Sequence, residues 1–398
     1  MARAGIVVEL VESCPEVTAL GSGIALHGNG LRVFDALGVL EACVAQGFPF
    51  STVAIRAPDS GATVLAELAS FRTGGPELPA ALGMYRPDLA RILMAAAQAA
   101  GTTTRFATTV QSMEQDDRGV DVRFSDGSFG RYDLVIGADG VRSATRRMLG
   151  VALDTTPVGL GVWRIFASRC TAVTRAELYY GGRCPSAGYT PTSQRSLYAF
   201  LYEHVQDRRT LSPAEQLAVV RDLASSYHGP WDEIRDGMVD PARIHYAVLE
   251  SHLLDAPWNR GRTVLIGDAA HAIPPTLAQG AAMALEDAAV LAELLVDRDK
   301  LDHKFWATFG QRRQERVRAI LDWSLQLCQW QLDGDRGDVA GITARVTDLV
   351  SRGARCIIRI SARERSRPRV SADSSAWLAG ASSHDQKPAS HATCANVA

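Results

Sequence analysis

Residues Ile6 to Val11 form a short apolar run broken only by Glu9, the pattern of a strand buried on both faces, and an acid, Glu12, follows it directly. GSGIAL at 21–26 reads as a loop. NGLRVFDALGVLEACVAQG at 29–47 carries apolar residues at helical spacing, with Asn29 as a candidate cap. Short strands are predicted near 52–57 and 62–67. RPDLARILMAAAQAAG at 86–101 is an amphipathic helix with Pro87 in its first turn and Gly101 just past its end. Strands near 104–110 and 120–125 lead into YDLVIGADGVRSATRRMLG at 132–150, which reads as strand, tight turn and helix.

From about 158 to 250 the pattern becomes β-rich and aromatic, in runs such as GVWRIFAS, AELYYGG and SLYAFLYE, with one helix at 212–227. A mostly antiparallel sheet is expected there. The strand–turn–helix pattern then returns in RTVLIGDAAHAIPPTLAQGAAMALEDAAVLAELL at 262–295, so the α/β domain is discontinuous and the β domain is inserted into it. A long helix is predicted over 301–331 and a shorter one over 336–350. Beyond 351 the chain holds seven arginines up to residue 369 against Glu364 alone, then a Ser/Ala/His-rich end that buries little apolar surface. It is expected to be disordered.

Composition narrows the possible functions. The 398 residues are 46% hydrophobic and 22% charged, ordinary for a globular protein of two or three domains, and a net charge of −2 gives no global field for nucleic acid or an anionic membrane. Seven cysteines without a CxxC pair fit neither a disulfide framework nor a zinc site, and point to a reducing cytoplasm. The nine histidines show no metal-ligand spacing, no GxSxG turn supports a hydrolase, and no segment has the length of a membrane span.

The strongest chemical signal is GDAAH, Gly267 to His271, at the end of the strand TVLI. Glycine lets the backbone turn close against a ligand, and Asp268 can offer a carboxylate to sugar or ribitol hydroxyls. Pro274 and Pro275 stiffen the loop. Gln279, Gly280 and Ala281 open a helix whose free amides and positive dipole end suit a group that becomes anionic, such as a reduced flavin. His271 reads as a packed, hydrogen-bonded residue rather than an acid or base, and Arg146 and Arg147 as a solvated helix face.

Taken together, Glu12 after VVELV, Asp139-Gly140 in DLVIGADGVRS with Arg142 and Ser143 behind them, and GDAAH running through LEDA resemble the single-component FAD-dependent aromatic hydroxylases of the p-hydroxybenzoate hydroxylase type over about residues 3–335. The resemblance implies an α/β, Rossmann-like FAD-binding domain at 1–157 and 250–335 and an inserted substrate domain at 158–249. It also implies that Glu12 binds the adenosine ribose, that Val110 lies by the adenine, that Arg86 lies near the FAD, and that Asp139 and Gly140 serve flavin and nicotinamide. Gly267, Asp268, Pro275, Gln279, Gly280 and Ala281 belong to the stretch that would meet the ribityl chain and the pyrophosphate, with the helix amides toward the flavin ring. In this family NADH or NADPH docks transiently and reduces FAD, and a flavin C4a-hydroperoxide formed with O2 hydroxylates a small aromatic or heteroaromatic substrate. Trp163, Arg164, Tyr189, Tyr198 and Tyr202 are the candidates for the substrate pocket.

There are three departures. Ala278 stands where the family has the first glycine of Gly-Gln-Gly, and Ala282 where it has an asparagine. The family's first strand and GxGxxG turn are not seen before Glu12, which normally follows that fingerprint by ~20 positions but here has eleven residues before it. A start inside the fold, with a non-catalytic remnant as the alternative, is one expectation. A flavin halogenase or reductase is another, although GVWRIF is a poor match to the halogenase WxWxIP.

Overall fold

A computed structural model describes residues 1–17, 23–297 and 300–334, four positions between 341 and 348, and the backbone of 391–395. The helix expected over 336–350 and most of the tail therefore lie outside the described residues.

A six-stranded sheet organises the first domain, in the order Asn259–Arg260, Thr263–Leu265, Leu134–Gly137, His391–Ala395, Val7–Val11, Thr103–Arg105. All neighbours are parallel except the short Asn259–Arg260 edge. Leu134, Val135 and Ile136 are buried, as are Val264 and Leu265, which explains why these strands read as unbroken apolar runs rather than alternating ones. The central position is taken by residues 391–395, paired with Val7–Val11 on one side and Leu134–Gly137 on the other. This corrects the expectation of a structureless tail for those five residues. Neighbouring strands sit roughly 4.8 Å apart, so the two flanking strands need one strand between them to form a continuous sheet.

The second sheet has eight strands, in the order His271–Ala272, Ile244–Leu253, Thr156–Ser168, Ser196–His204, Ser186–Pro191, Ala176–Tyr180, Thr52–Arg56, Val64–Ala69. It extends beyond the inserted segment, because Thr52–Arg56 pairs in parallel with Ala176–Tyr180. One face packs Trp163, Ile165, Tyr179, Tyr189 and Leu201 against Tyr227, Trp231 and Ile234 from the region of the helices Pro213–Leu223 and Pro230–Asp236. Fully burying large apolar side chains contributes on the order of 1.5–3 kcal/mol each, which fixes this face as core. The opposite face carries Arg164, Tyr198, Phe200 and Tyr202, as period-2 alternation requires.

Two local readings change. Residues 23–27 form a strand, Gly23–His27, paired with Ala81–Tyr85, rather than a loop. The helical run at 29–47 is two helices, Gly28–Ala36 and Leu40–Gln46, parted at Gly38 with φ +66°. Asn29 lies inside the first of these, fully buried, and its amide is used elsewhere.

Candidate active site

Three of the motifs meet because each ends a parallel strand. Val11, Gly137 and Leu265 lie at the same carboxyl edge of the sheet, so Glu12, Asp139 and the Gly267 turn emerge along one crevice. At one end the Glu12 amide donates to the Arg105 carbonyl at 2.8 Å, while Thr108 N–H donates back to the Glu12 carbonyl at 3.0 Å. Those bonds bring Glu12 beside the segment leading to Val110, which begins the strand Val110–Gln115. The Glu12 carboxylate accepts from Ser13 Oγ and the Cys14 amide through Oε1 alone. A shallow cleft of about 360 Å³, lined by Pro15, Val17, Arg91, Met94 and Phe106, opens next to it.

In the middle, the Asp139 carboxylate accepts hydrogen bonds from Ser143 Oγ and the Thr145 amide, and so folds the turn around Gly140 at φ +77°. Arg146 is buried and donates to the Ala269 and Val141 carbonyls, at 2.8 and 2.7 Å. It ties this turn to the GDAAH turn, which corrects its reading as a solvated residue. Arg147 and Arg142 are exposed, the latter 3.5 Å from Glu250.

The GDAAH turn is held from behind. Gly267 adopts φ +57°, and a Cβ there would meet Ala284 at 3.1 Å, so both conformation and space require glycine. Its amide donates to Asp287 Oδ2 at 2.9 Å, and His271 Nε2 lies 2.6 Å from the same oxygen. Arg313 Nε donates to Asp287 Oδ1 at 2.6 Å. Next door, Glu286 accepts from Arg313, Arg316 and Asn29, and Asn29 also donates to Gln279 Oε1 at 3.1 Å. Burial works against charge on Glu286, but Arg313 and Arg316 outweigh it and hold the carboxyl down at about 2. Asp287 is likewise held below the ordinary range: burial opposes the shift, and the charges of His271 and Arg313 win. Arg313 was not picked out from the sequence, and Glu286 only as part of LEDA. The available signal was two adjacent acids inside the apolar helix AAMALEDAAVLAELL, which need buried cationic partners.

Asp268 shares no side-chain hydrogen bond with that network. No described residue donates a hydrogen bond to its carboxylate, and burial raises it above the usual carboxylate range, opposed by His271, Arg86 and Arg164. Its electrostatic neighbours include Arg86, whose Nε donates to the Gly23 carbonyl at 3.2 Å and which is itself lowered by burial and by Arg164. Tyr198 belongs to the same group. Burial raises its phenol, against the pull of Arg164 and Arg86, so the hydroxyl is neutral and can donate. Burial raises Tyr202 far more, and it packs with Leu160, Val162 and Cys328.

The sheet thus divides the candidate pocket residues. Arg164, Tyr198 and Tyr202 face the first domain. Trp163 and Tyr189 lie on the other face, fully buried, with Trp163 Nε1 donating to Glu203 at 2.9 Å and the Tyr189 hydroxyl donating to Glu177. Strand alternation gives these two to the core, not to the site. Pro275 starts a single turn, Pro275–Leu277, and Ala278 follows in the left-handed region at φ 51°. Gly280 and Ala281 open the helix Gly280–Asp297, whose first N–H groups lack intrahelical partners. Ala282 is buried against Gly30 and offers the site nothing.

An unpaired carboxylate at a glycine turn, a helix N-terminus, and an acid at the far strand end fit the ribityl chain, flavin ring and ribose of a dinucleotide. A doubly wound sheet whose crevice presents these groups, with a second sheet facing them, defines a flavoprotein oxidoreductase. The chain belongs to the family described as FAD binding domain, which matches residues 1–324. It is 30% identical over 339 residues to the putative FAD-dependent monooxygenase YetM of Bacillus subtilis, covering 84% of this chain and 90% of that one. It is 28% identical over 332 residues to 6-hydroxynicotinate 3-monooxygenase of Bordetella bronchiseptica, covering 80% and 85%. The crystal structure of Klebsiella pneumoniae HpxO with FAD and uric acid superposes with a TM-score of 0.71 at 19% identity, covering 89% of this chain and 95% of that one. The protein is an FAD-dependent monooxygenase of the aromatic hydroxylase type.

Proposed function

We propose that this monooxygenase hydroxylates a small aromatic or heteroaromatic molecule bearing an acidic group, with NADH or NADPH as reductant and O2 as oxygen donor. The position of Arg164 carries the reading. It lies on the sheet face turned to the first domain, beside Tyr198 and Arg86, and among the described residues neither arginine forms an ion pair. Two partly desolvated guanidinium groups beside the single carboxylate of Asp268 favour one further anion. The names of the relatives agree in kind, since hydroxynicotinate and uric acid are acidic heteroaromatics.

When bound and reduced, FAD supplies the electrons and activates O2. The chain's own groups bind and orient. The Asp268 carboxylate accepts from ribityl hydroxyls, the N-terminal amides at Gly280 and Ala281 stabilise negative charge on the ring, and Glu12 accepts from the ribose. Arg164 holds the acidic substituent and favours an ionised ring oxygen, while the neutral Tyr198 hydroxyl donates to it. The Ser186–Gln331 bond at 3.1 Å seats the helix His303–Leu332 on the sheet, and Tyr202, Leu249 and Cys328 exclude water from that end. The described cysteines, Cys14, Cys43, Cys170, Cys184 and Cys328, are unpaired, which supports the cytoplasm as its compartment.

The test is an NAD(P)H-oxidation screen of flavin-loaded protein over hydroxybenzoates, hydroxypyridine carboxylates and neutral phenols. Acidic substrates are expected to stimulate oxidation. Arg164→Gln is expected to raise their KM by roughly 10- to 100-fold, the loss of a charged hydrogen bond, with flavin retained. Equal stimulation by neutral phenols, with no discrimination lost in Arg164→Gln, overturns the reading.

A further inference from the structure

Asn29 lies fully buried inside the helix Gly28–Ala36, and its carboxamide bridges the start and the second turn of the helix Gly280–Asp297. Nδ2 donates to Glu286 Oε1 at 2.9 Å and to Gln279 Oε1 at 3.1 Å. The backbone beneath it is anchored as well. The Asn29 amide donates to Thr73 Oγ1 at 3.0 Å, and the Gly28 amide to the Ala80 carbonyl at 3.1 Å. A Cβ on Gly28 would run into the Gly74 backbone, so the segment at 73–80 closes tightly over this end of the helix.

The order of donors along this chain of contacts is dictated from its charged end. Glu286 is ionised and can only accept. Its Oε2 takes Arg313 Nη1 and Arg316 Nε, and its Oε1 takes Arg316 Nη2 at 2.7 Å together with the Asn29 NH2 group. The second hydrogen of that NH2 group needs an acceptor, so the atom opposite it on Gln279 is the oxygen. Gln279 consequently turns Nε2 the other way. The residue is 4% exposed, and Nε2 donates to no described residue. Gln279 also opens the helix, because its carbonyl accepts from the Met283 amide at 2.9 Å. Its free NH2 group thus joins the unpaired amides of Gly280 and Ala281 at the helix start. An amide reversed at either step would present an oxygen there, which repels the negative charge that the helix start favours.

We infer that Asn29 is a positioning residue: through Gln279 it holds a side-chain N–H donor toward the anionic, reduced flavin, beside the amides of Gly280 and Ala281. The buried ion network therefore reaches the cofactor by hydrogen-bond polarity rather than by contact. The inference goes beyond the substrate reading and rests on the placement of the flavin ring at this helix start. A donor so placed favours reduced over oxidised flavin and raises the reduction potential.

The experiment measures the flavin reduction potential of the FAD-loaded full chain by dye equilibration, for wild type, Gln279→Met, Asn29→Leu and the double variant. FAD dissociation constants and melting temperatures are read beside it. Gln279→Met is expected to weaken binding of reduced relative to oxidised flavin about tenfold, a fall of roughly 30 mV for a two-electron couple. Asn29→Leu is expected to lower the potential in the parent and to leave it unchanged in the Gln279→Met background, while lowering the melting temperature in both. A purely structural loss would instead shift the potential alike in the two backgrounds. Asn29→Ser, whose single donor serves Glu286 and leaves none for Gln279, gives the same comparison if the leucine variant loses its flavin. An unchanged potential in Gln279→Met, or equal shifts by the Asn29 variants in both backgrounds, overturns the inference alone. A wild-type chain that retains no FAD overturns the placement of the flavin and the inference with it.

Discussion

Asp287 Oδ2 lies 2.6 Å from His271 Nε2 and 2.9 Å from the Gly267 amide, so one carboxylate holds both ends of the GDAAH turn. His271 Nδ1 is buried with no hydrogen-bond partner among the described residues. Asp287 never faces the crevice. It positions Asp268 by fixing the backbone on either side of it.

Replacing Asp287 by alanine leaves Arg313 as a buried charge with only Glu286 to compensate it, and frees the Gly267 amide and His271. Removing one partner of a buried ionic network costs about 3–5 kcal/mol. Asp287→Ala is therefore expected to lose stability of that order in urea unfolding, and Asp287→Asn less, because the amide oxygen still accepts. FAD retention is expected to fall in both. A loss under ~1 kcal/mol in Asp287→Ala would show that the network is not coupled to the turn.

His252 makes stability fall in mild acid. Its Nε2 meets the Asp268 carbonyl at 2.9 Å, and burial, then the charge of Arg146, push the ring down to about 4 from 6.5, against the pull of that carbonyl. The unfolded chain takes the proton first. The stabilisation is thus complete above pH 6.5 and is lost as the pH falls through the window towards 4. His252→Gln keeps an amide donor and does not titrate, so its unfolding midpoint is expected to vary less across that window than the parent's. Parallel curves for the two proteins would remove His252 from the account.

Much of this was legible because strands buried on both faces leave unbroken apolar runs, and the motifs sit where those runs stop. VVELV, LVIG and TVLI fixed the three strand ends, and with them Glu12, Asp139 and Asp268. What escaped depended on contacts far apart in sequence. Arg146 looks like its exposed neighbour Arg147 until the fold brings the Ala269 carbonyl to it across 123 positions. Trp163 and Arg164 are adjacent, and only the sheet's covering helices decide which of the two faces is core. The pairing of 391–395 with the central strands has little local signal, since HATCA is short and its apolar residues are two alanines and a cysteine.

That pairing makes an expected outcome of its own. A proline in the middle of a central strand removes a ladder donor and is tolerated only at edges or bulges. Thr393, opposite Glu9 on one side and Val135 on the other, is the middle residue of His391–Ala395. Thr393→Pro is expected to open the slot between Val7–Val11 and Leu134–Gly137, lowering the melting temperature and the FAD bound per chain. Thr393→Val, which keeps the backbone donor, is expected to leave both unchanged. If the proline variant matches wild type in both measurements, residues 391–395 contribute nothing to the sheet.

Ala278 offers the opposite change, a gain. It adopts φ 51° and ψ 35°, the left-handed region that places Cβ too close to the following carbonyl oxygen and costs about 1–2 kcal/mol for an L-residue. The family pattern has glycine there, and the turn explains why: the chain must reverse between Pro275–Leu277 and the helix that begins at Gly280. Ala278→Gly removes the clash but gives the unfolded chain more freedom, which offsets roughly 0.4–1 kcal/mol. The net expectation is a stabilisation of up to about 1.6 kcal/mol, read as a rise in melting temperature, with flavin binding kept or improved. Ala278→Val, with a bulkier β-branched side chain at the same dihedrals, is expected to fall below the parent. A glycine variant less stable than the parent would mean that Ala278 is not strained.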